Sequence, residues 1–201
     1  MNDPRPLFES AADQLARVLR TVTADRLGDP TPCTEFDVRA LLIHVVGGTH
    51  DMALAAAEPG AEPADAGEPA DAAGPPDLSG LVDGGEWSAA YDRARRRFTA
   101  AWAEDARLGR PSTVPWGTVP GAAAVTGFAL ETAAHTWDLS RALGHPLVLD
   151  QGPASAILPA ARQAVPAEPR GGPVPFAAVR EARPGAEAYE RLAAWLGREV
   201  P

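Results

Sequence analysis

Glu131 and His135 are the first pair of residues in this chain whose types and spacing could do chemistry. They stand four residues apart in the segment ETAAHTWDLSRALG, which has the periodicity of an amphipathic helix. Four residues turn a helix by about 400° and advance it by about one turn, so both side chains lie on one face and can reach the same atom. Two interpretations are open from this pair alone: a surface Glu/His pair worth roughly a few tenths of a kcal/mol, or half of a metal site.

A metal site needs a third ligand, and His44 is the histidine best placed to supply it. It stands in the middle of a predicted helix among apolar neighbours, in RALLIHVVGG. A histidine in that setting can also be a satisfied core residue, but helix bundles build metal sites from inward-facing side chains on different helices. His44, Glu131 and His135 together offer two imidazoles and one carboxylate. Such a set suits a divalent metal, zinc, nickel and iron among them, with a position open for water or substrate.

The other two histidines are less suited to the same site. His50 lies six residues beyond His44 and therefore about 120° around the helix, so the two cannot both face one bundle axis. His145 follows Gly144, which is the predicted helix stop, and we expect it in an exposed loop.

Cys33 and Asp138 are further candidates around the predicted site. Cys33 precedes His44 by eleven residues, about 16 Å of helical rise, and we expect a small, partly buried thiol, with metal ligation as the alternative. Asp138 follows His135 by three residues and lies near the same face. It could accept a hydrogen bond behind a metal ligand or line the pocket, or it could pair with Arg141; the sequence leaves this open. It also leaves open whether Trp116 lines a pocket or packs in the core.

Four long amphipathic segments must position these residues, and they predict an all-α fold. Apolar residues recur at helical spacing in four segments: 6–27, 36–57, 86–106 and 120–143. No run of residues predicts a strand. Thr34 is the predicted N-cap of the second helix, and Arg39 within it is expected to pair with Glu35 rather than to bind substrate. Four apolar stripes are most simply buried in a four-helix bundle.

The remaining segments predict the domain boundaries. Residues 56–80 repeat small, acidic and Pro/Gly residues with little to bury, which predicts a flexible surface loop. After residue 144 the sequence predicts a short helix over about 154–164 and a last helix over 185–197. We therefore expect a single domain over 1–201, with a bundle core over about 5–144 and a short C-terminal helical extension over 145–201.

Composition narrows the function classes. The chain has 201 residues, one cysteine and a formal net charge of −9, and it shows neither a signal peptide pattern nor an apolar run long enough for a membrane span. From these patterns we expect a cytoplasmic protein without a membrane partner. We also expect no nucleic-acid partner, because the net charge is negative and the one basic run, Arg93 to Arg97, is typical of a solvated helix face. The sequence also lacks the GxSxG, phosphate-loop and HExxH motifs.

Several segments in order resemble the DinB-like metal-binding superfamily, and within it the metal-binding domain of mycothiol-dependent maleylpyruvate isomerase. They are PTPCTEFDVRALLIHVVGG, PWGTVPG, ETAAHTWDLSRALG and the tail RLAAWLGREVP. The resemblance covers nearly the whole chain apart from the acidic loop. It implies a four-helix bundle in which a histidine of the second helix and the ExxxH of a later helix bind zinc or a similar ion. On this sequence those ligands are His44, Glu131 and His135.

The resemblance also implies thiol chemistry, with mycothiol or a similar small thiol and an electrophile as partners. The expected activity is a metal-dependent thiol S-transferase or isomerase, in which the metal lowers the pKa of the thiol. The isomerase resembled carries a further C-terminal domain that contributes to its substrate site, whereas about 55 residues follow Gly144 here. We therefore do not expect maleylpyruvate isomerization itself. A metal-binding bundle without thiol chemistry, using metal-bound water or acting as a binding protein, is the alternative, and a homodimer is left open.

Overall fold

The computed structural model describes residues 3–56, 77–145, 147–172, 174 and 176–201. Over this part of the chain it contains seven α-helices, one 3-10 helix and one hairpin of two strands. In chain order these are α1 (Arg5–Leu19), a 3-10 helix (Ala24–Arg26), α2 (Val38–Leu54), α3 (Gly84–Ala101), α4 (Asp105–Gly109), β1 (Pro111–Val114), β2 (Gly117–Pro120), α5 (Gly121–Ala142), α6 (Gly152–Ala164) and α7 (Ala188–Trp195). The predicted all-α, DinB-like bundle is confirmed.

Helix α1 is shorter than the sequence predicts. Pro6 lies in its first turn, where a missing backbone N–H costs nothing, and its apolar stripe, including Phe8 and Leu15, is buried. The helix ends at Leu19 instead of continuing to residue 27. The Thr21 hydroxyl donates to the carbonyl of Val18 at 2.7 Å, and two of the three residues after it are β-branched. The apolar residues beyond this point lie in the 3-10 helix and in the turns on either side of it.

Helix α2 begins later than predicted, because residues 30–37 form a turn. Asp37, not Thr34, is the N-cap, and its carboxylate accepts a hydrogen bond from the Ala40 backbone N–H at 2.7 Å. The Thr31 hydroxyl lies within hydrogen-bond distance of the carbonyls of Cys33 and Phe36, at 2.9 and 2.8 Å. Cys33 therefore lies in a compact turn at the start of α2 and not on an extension of the helix.

Four helices form the bundle, with α1 against α5 and α2 against α3. Arg39 of α2 contacts the Leu81 carbonyl just before α3, and the Trp102 indole N–H just after α3 donates to the Met52 carbonyl near the end of α2. Helices α2 and α3 therefore run parallel. Helix α5 runs antiparallel to both, because its first residue, Gly121, packs on Trp102 so closely that a Cβ would lie 2.9 Å from the ring.

Aromatic side chains fill the centre of this bundle. Phe8 of α1 stacks on Phe98 of α3 with ring centroids 3.9 Å apart, and Phe128 of α5 meets both Phe98 and Trp102 edge to face. These side chains are almost completely buried. The aromatic side chains at the C-terminal end of α3 therefore belong to the core.

A hairpin precedes α5, although the sequence predicts no strand. Strands β1 and β2 pair antiparallel, with Pro111 opposite Pro120 and Val114 opposite Gly117. Gly117 has a φ of +128°, which suits glycine at the hairpin turn. The strands are four residues each and rich in Pro, Thr and Gly, so periodicity could not reveal them. The hairpin places Trp116 against α5.

The C-terminal extension packs on the bundle through α6 and α7, as predicted in outline. The Gln14 amide of α1 bonds the Tyr189 hydroxyl and the Asp150 carbonyl, at 3.0 and 2.9 Å. Most of the predicted acidic loop, residues 57–76, lies outside the described residues, while Leu78 at its end is buried. The single-domain organisation stays a prediction. Among the described residues, no helix is long and apolar enough to cross a membrane.

Candidate metal centre

Helices α2 and α5 bring His44, Glu131 and His135 together where they face each other. The Glu131 Oε2 atom lies 3.3 Å from His135 Nε2 and 3.8 Å from His44 Nε2. The two imidazole rings meet edge to face, with centroids 5.0 Å apart. Glu131 and His135 share one face of α5 because they are separated by four residues, as the sequence indicates. The predicted trio is therefore one cluster in space.

The spacing of this cluster fits a divalent cation. One ligand atom from each residue lies within 4.8 Å of the others. Metal–ligand bonds of about 2.0 to 2.2 Å place neighbouring atoms of a tetrahedral set about 3.3 to 3.6 Å apart, close to the separations of Glu131 from the two histidines. Nitrogen from two imidazoles and oxygen from one carboxylate is a donor set suited to zinc and to other first-row metals.

Asp138 lies directly behind His135 and is completely buried. Its Oδ2 atom is 3.0 Å from His135 Nδ1, so His135 can donate to Asp138 while its Nε2 atom faces Glu131. Arg198 approaches the same carboxylate from the C-terminal extension, with Nη2 at 3.1 Å from Oδ2 and Nε at 3.3 Å from Oδ1. Asp138 thus partners His135 and Arg198 in place of the alternative, Arg141, whose guanidinium contacts the His145 ring.

The charges in the cluster shift the pKa values of its members. Burial disfavours the charged form of His135, but its hydrogen bonds to Asp138 and Glu131 outweigh this effect and raise the pKa of His135 to about 9. Burial likewise disfavours ionised Glu131, but hydrogen bonds from His135 and His44 hold the pKa of Glu131 well below its usual range. Near pH 7 the metal-free site therefore holds a carboxylate next to a protonated His135.

Cys33 lies nearer to this cluster than the sequence predicts. Cys33, His135 and Asp138 form a second group whose ligand atoms lie within 4.8 Å of one another. The 16 Å separation from His44 assumed a continuous helix, but the turn over 30–37 folds Cys33 back toward α5. Burial raises the pKa of the Cys33 thiol. Within this second group, Asp138 already bonds Arg198, so the group with His44 and Glu131 has the more available carboxylate.

The two histidines of the first group differ in exposure. The side chain of His135 is 6% exposed, whereas that of His44 is 42% exposed. Phe36 stacks on the His44 ring with centroids 5.1 Å apart and covers one of its faces. Within the cluster, His135 is therefore enclosed by the protein, whereas His44 on α2 is open to solvent.

Trp116 lies on the same face of α5 as the cluster, one turn before Glu131. Its indole sits on Gly127 so closely that a Cβ there would lie 2.5 Å from Cζ2. It also meets the Phe128 ring edge to face, yet it remains 47% exposed. Trp116 thus both packs on the core and presents an aromatic surface beside the site.

The other predicted residues lie elsewhere. His50 is buried, and its Nδ1 atom is 3.2 Å from Arg97 on α3, so it is not in the cluster. His145 is exposed, as predicted. Arg39 does not pair with Glu35 as predicted; it bonds the Ser79 and Leu81 carbonyls, because the turn before α2 removes Glu35 from the helix.

Two grooves in the surface lie away from the cluster. One of about 210 Å³ lies between α1 and α3, lined by Phe8, Phe98 and Trp102 among others, and one of about 390 Å³ lies beside α7.

Arg95, in the basic run, pairs with Glu9 and Asp13 of α1. The basic run therefore supports helix packing, at least through Arg95.

Arg198 and Phe36 are the contacts that sequence reasoning missed. Phe36 stands next to the α2 N-cap, and only the geometry of the turn shows that its ring reaches His44. Arg198 is separated from Asp138 by 60 residues. The sequence feature that could have drawn attention to Arg198 is a glycine followed by an arginine at the end of a helical segment, in AAWLGRE.

Comparison with known proteins places the cluster in a family context. The chain matches the family model described as the mycothiol maleylpyruvate isomerase N-terminal domain over residues 8–140. Two uncharacterized proteins of Mycobacterium tuberculosis, from strains CDC 1551 / Oshkosh and ATCC 25618 / H37Rv, are each 35% identical to it over 198 residues. These alignments cover 98% of this chain and 99% of each relative. No solved structure matches the chain significantly. The cluster and Asp138 lie inside the matched range, and Arg198 lies beyond it.

Proposed function

Because the chain belongs to the mycothiol maleylpyruvate isomerase N-terminal domain family, we propose that it binds one divalent metal through His44, Glu131 and His135. Zinc is the metal we favour, since two imidazoles and a carboxylate are a common catalytic zinc set. We further propose that the protein is a metal-dependent thiol S-transferase or isomerase that uses mycothiol or a similar small thiol.

The observation that carries the metal proposal is the convergence of two imidazoles and one carboxylate at one place between α2 and α5. Glu131 lies within 3.8 Å of both histidine Nε2 atoms. A metal held by these three residues would keep room for a further ligand, and the exposed side chain of His44 leaves the site accessible from solvent. An open position at a solvent-facing site supports a ligand that enters from outside.

Each residue has a defined part in this proposal. A bound divalent metal would lower the pKa of a coordinated thiol and so supply a thiolate near neutral pH. His135 is held by its Nδ1 contact with Asp138, which directs Nε2 toward Glu131. Phe36 fixes the plane of the His44 ring by stacking on it.

The overall reaction we propose is addition of a thiol to an electrophile. The S–H bond and the π bond of the electrophile break, an S–C bond forms at one end of that former π bond, and the proton ends on the atom at its other end. The open side of the site is where the electrophile would approach, and Trp116 lies along that side. The alternative is a metal-binding bundle without thiol chemistry.

A cobalt-substituted sample tests this function. We expect titration with mycothiol to add a sulfur-to-cobalt charge-transfer band near the ultraviolet, while the O-linked serine analogue of the thiol adds none. His135→Ala should abolish the response, and His145→Asn, at an exposed position that tolerates its φ of +55°, should leave it intact. Cobalt binding with no thiol response would favour the alternative function, and no cobalt binding would contradict both.

A further inference from the structure

Arg198 reaches the candidate metal centre from the far end of the chain. It lies 58 residues beyond the end of the family match at residue 140, yet its guanidinium makes two hydrogen bonds to Asp138. Its side chain is 11% exposed and that of Asp138 is fully buried. The contact therefore joins the C-terminal extension to the α5 face that carries His135.

The backbone around Arg198 fixes the direction of its side chain. The Arg198 N–H donates to the Ala193 carbonyl at 2.9 Å and the Gly197 N–H to the Ala194 carbonyl at 3.0 Å. These two bonds are the Schellman motif that ends α7, with Gly197 in the left-handed region at φ +86°. Gly197 also packs so closely that a Cβ would lie 2.6 Å from the Ala177 carbonyl oxygen. The end of α7 thus aims Arg198 into the bundle.

Asp138 is a fully buried carboxylate, and burying such a group is costly unless it is hydrogen-bonded and paired. Arg198 is a permanent cation that can bond both oxygens of one carboxylate. With Arg198 in place, Asp138 can accept the Nδ1 proton of His135, which leaves Nε2 as the nitrogen that faces Glu131 and His44. Without Arg198, the Asp138 carboxylate would lose the two hydrogen bonds that fix its orientation and would no longer hold the ring of His135 in place.

We propose that Arg198 is a positioning residue of the metal site, acting on His135 through Asp138. This inference rests on the proposed metal site of His44, Glu131 and His135. It assigns to the C-terminal extension a role in setting metal affinity, in addition to packing on α1 and α5. Arg198 itself touches neither metal nor substrate in this proposal.

The test compares variants of the full-length chain by zinc affinity, measured by competition with a chromophoric chelator. We expect Arg198→Ala to weaken zinc binding by about 10-fold to 100-fold, the usual effect of losing a partner behind a metal-bound histidine. Arg198→Lys should recover part of the loss, because it restores the charge but not the two-point geometry. Gly197→Ala should also weaken zinc binding, because it disturbs the turn that directs Arg198. Arg183→Ala is the matched control, since Arg183 pairs with Glu190 at the surface of the same extension.

A second readout separates positioning from loss of fold. In metal-free protein, the Nδ1 proton of His135 should give a slowly exchanging, downfield NMR signal, identified by its absence in His135→Gln. We expect Arg198→Ala to lose this signal while keeping the dispersed amide spectrum of a folded protein. A retained signal, or zinc affinity within twofold of wild type, would overturn the inference. If wild type binds no zinc, the proposed function fails, and the NMR signal still decides whether Arg198 positions His135.

Discussion

Raising the pH should destabilise the metal-free protein, because His135 is protonated in the fold. Its pKa is raised to about 9, against an ordinary value of 6.5 in the unfolded chain. A group with a raised folded pKa contributes stability that is complete below the unfolded pKa and is lost as pH rises through the folded one. The difference corresponds to about 3 kcal/mol in all, of which about 2 kcal/mol is lost between pH 6.5 and 8.5.

Urea unfolding followed by tryptophan fluorescence measures this effect. Protein treated with a chelator would be unfolded at several pH values from 6.5 to 8.5. We expect the free energy of unfolding to fall by about 2 kcal/mol across this range. Excess zinc should reverse the slope, because metal displaces the proton from His135 and binds more tightly as pH rises.

Two variants make the pH test specific to His135. His135→Gln cannot titrate and should lose the slope, whereas His145→Asn removes an exposed histidine and should keep it. A free energy of unfolding that stays constant or rises with pH in the metal-free wild type would refute the reasoning. So would an equal slope in His135→Gln.

Three further substitutions test the surroundings of the site. Asp138→Asn should lower the free energy of unfolding by about 3 kcal/mol or more, because it leaves Arg198 buried without its partner. The exposed control Asp25→Asn should change it little, and equal urea midpoints for the two variants would contradict this prediction. Phe128→Ala should lower the free energy of unfolding by about 3 to 5 kcal/mol, because the Phe128 ring is fully buried between other aromatic rings. A smaller loss in urea unfolding would argue against this packing. Gly127→Ala should displace the Trp116 indole and increase acrylamide quenching without changing metal content; unchanged quenching would place that indole elsewhere.

The trio of candidate ligands could be predicted because helical periodicity is a strong local rule. Glu131 and His135 share a face of any regular helix, so their proximity depends only on α5 being a helix. His44 required one more assumption, that an apolar helix faces α5 in a bundle. The structure satisfies that assumption.

The position of Cys33 could not be predicted in the same way. Its distance from His44 was calculated along a helix, but residues 30–37 form a turn through the hydrogen bonds of Thr31. Turn geometry depends on a few specific side-chain bonds rather than on a repeating pattern. The hairpin before α5 was missed for a related reason, since four-residue strands contain too few alternations to be recognised.

Arg198 shows the limit set by long sequence separation. The choice between Arg141 and a distant partner for Asp138 depends on how α7 packs against α5, and no local pattern determines that packing. Local sequence offered Arg141 as one possible partner and left the role of Asp138 open, whereas in the structure the fully buried Asp138 bonds Arg198.

The most direct test of the central claim is the metal content of the protein purified without a nickel column. Elemental analysis should find about one divalent metal ion per chain, with zinc predominant, in wild type and in His145→Asn. The content should fall to background in His135→Ala, provided that its circular dichroism shows an intact helical fold. Absence of metal in wild type even after zinc is added, or the same content in His135→Ala, would contradict the proposal that His44, Glu131 and His135 form a metal site.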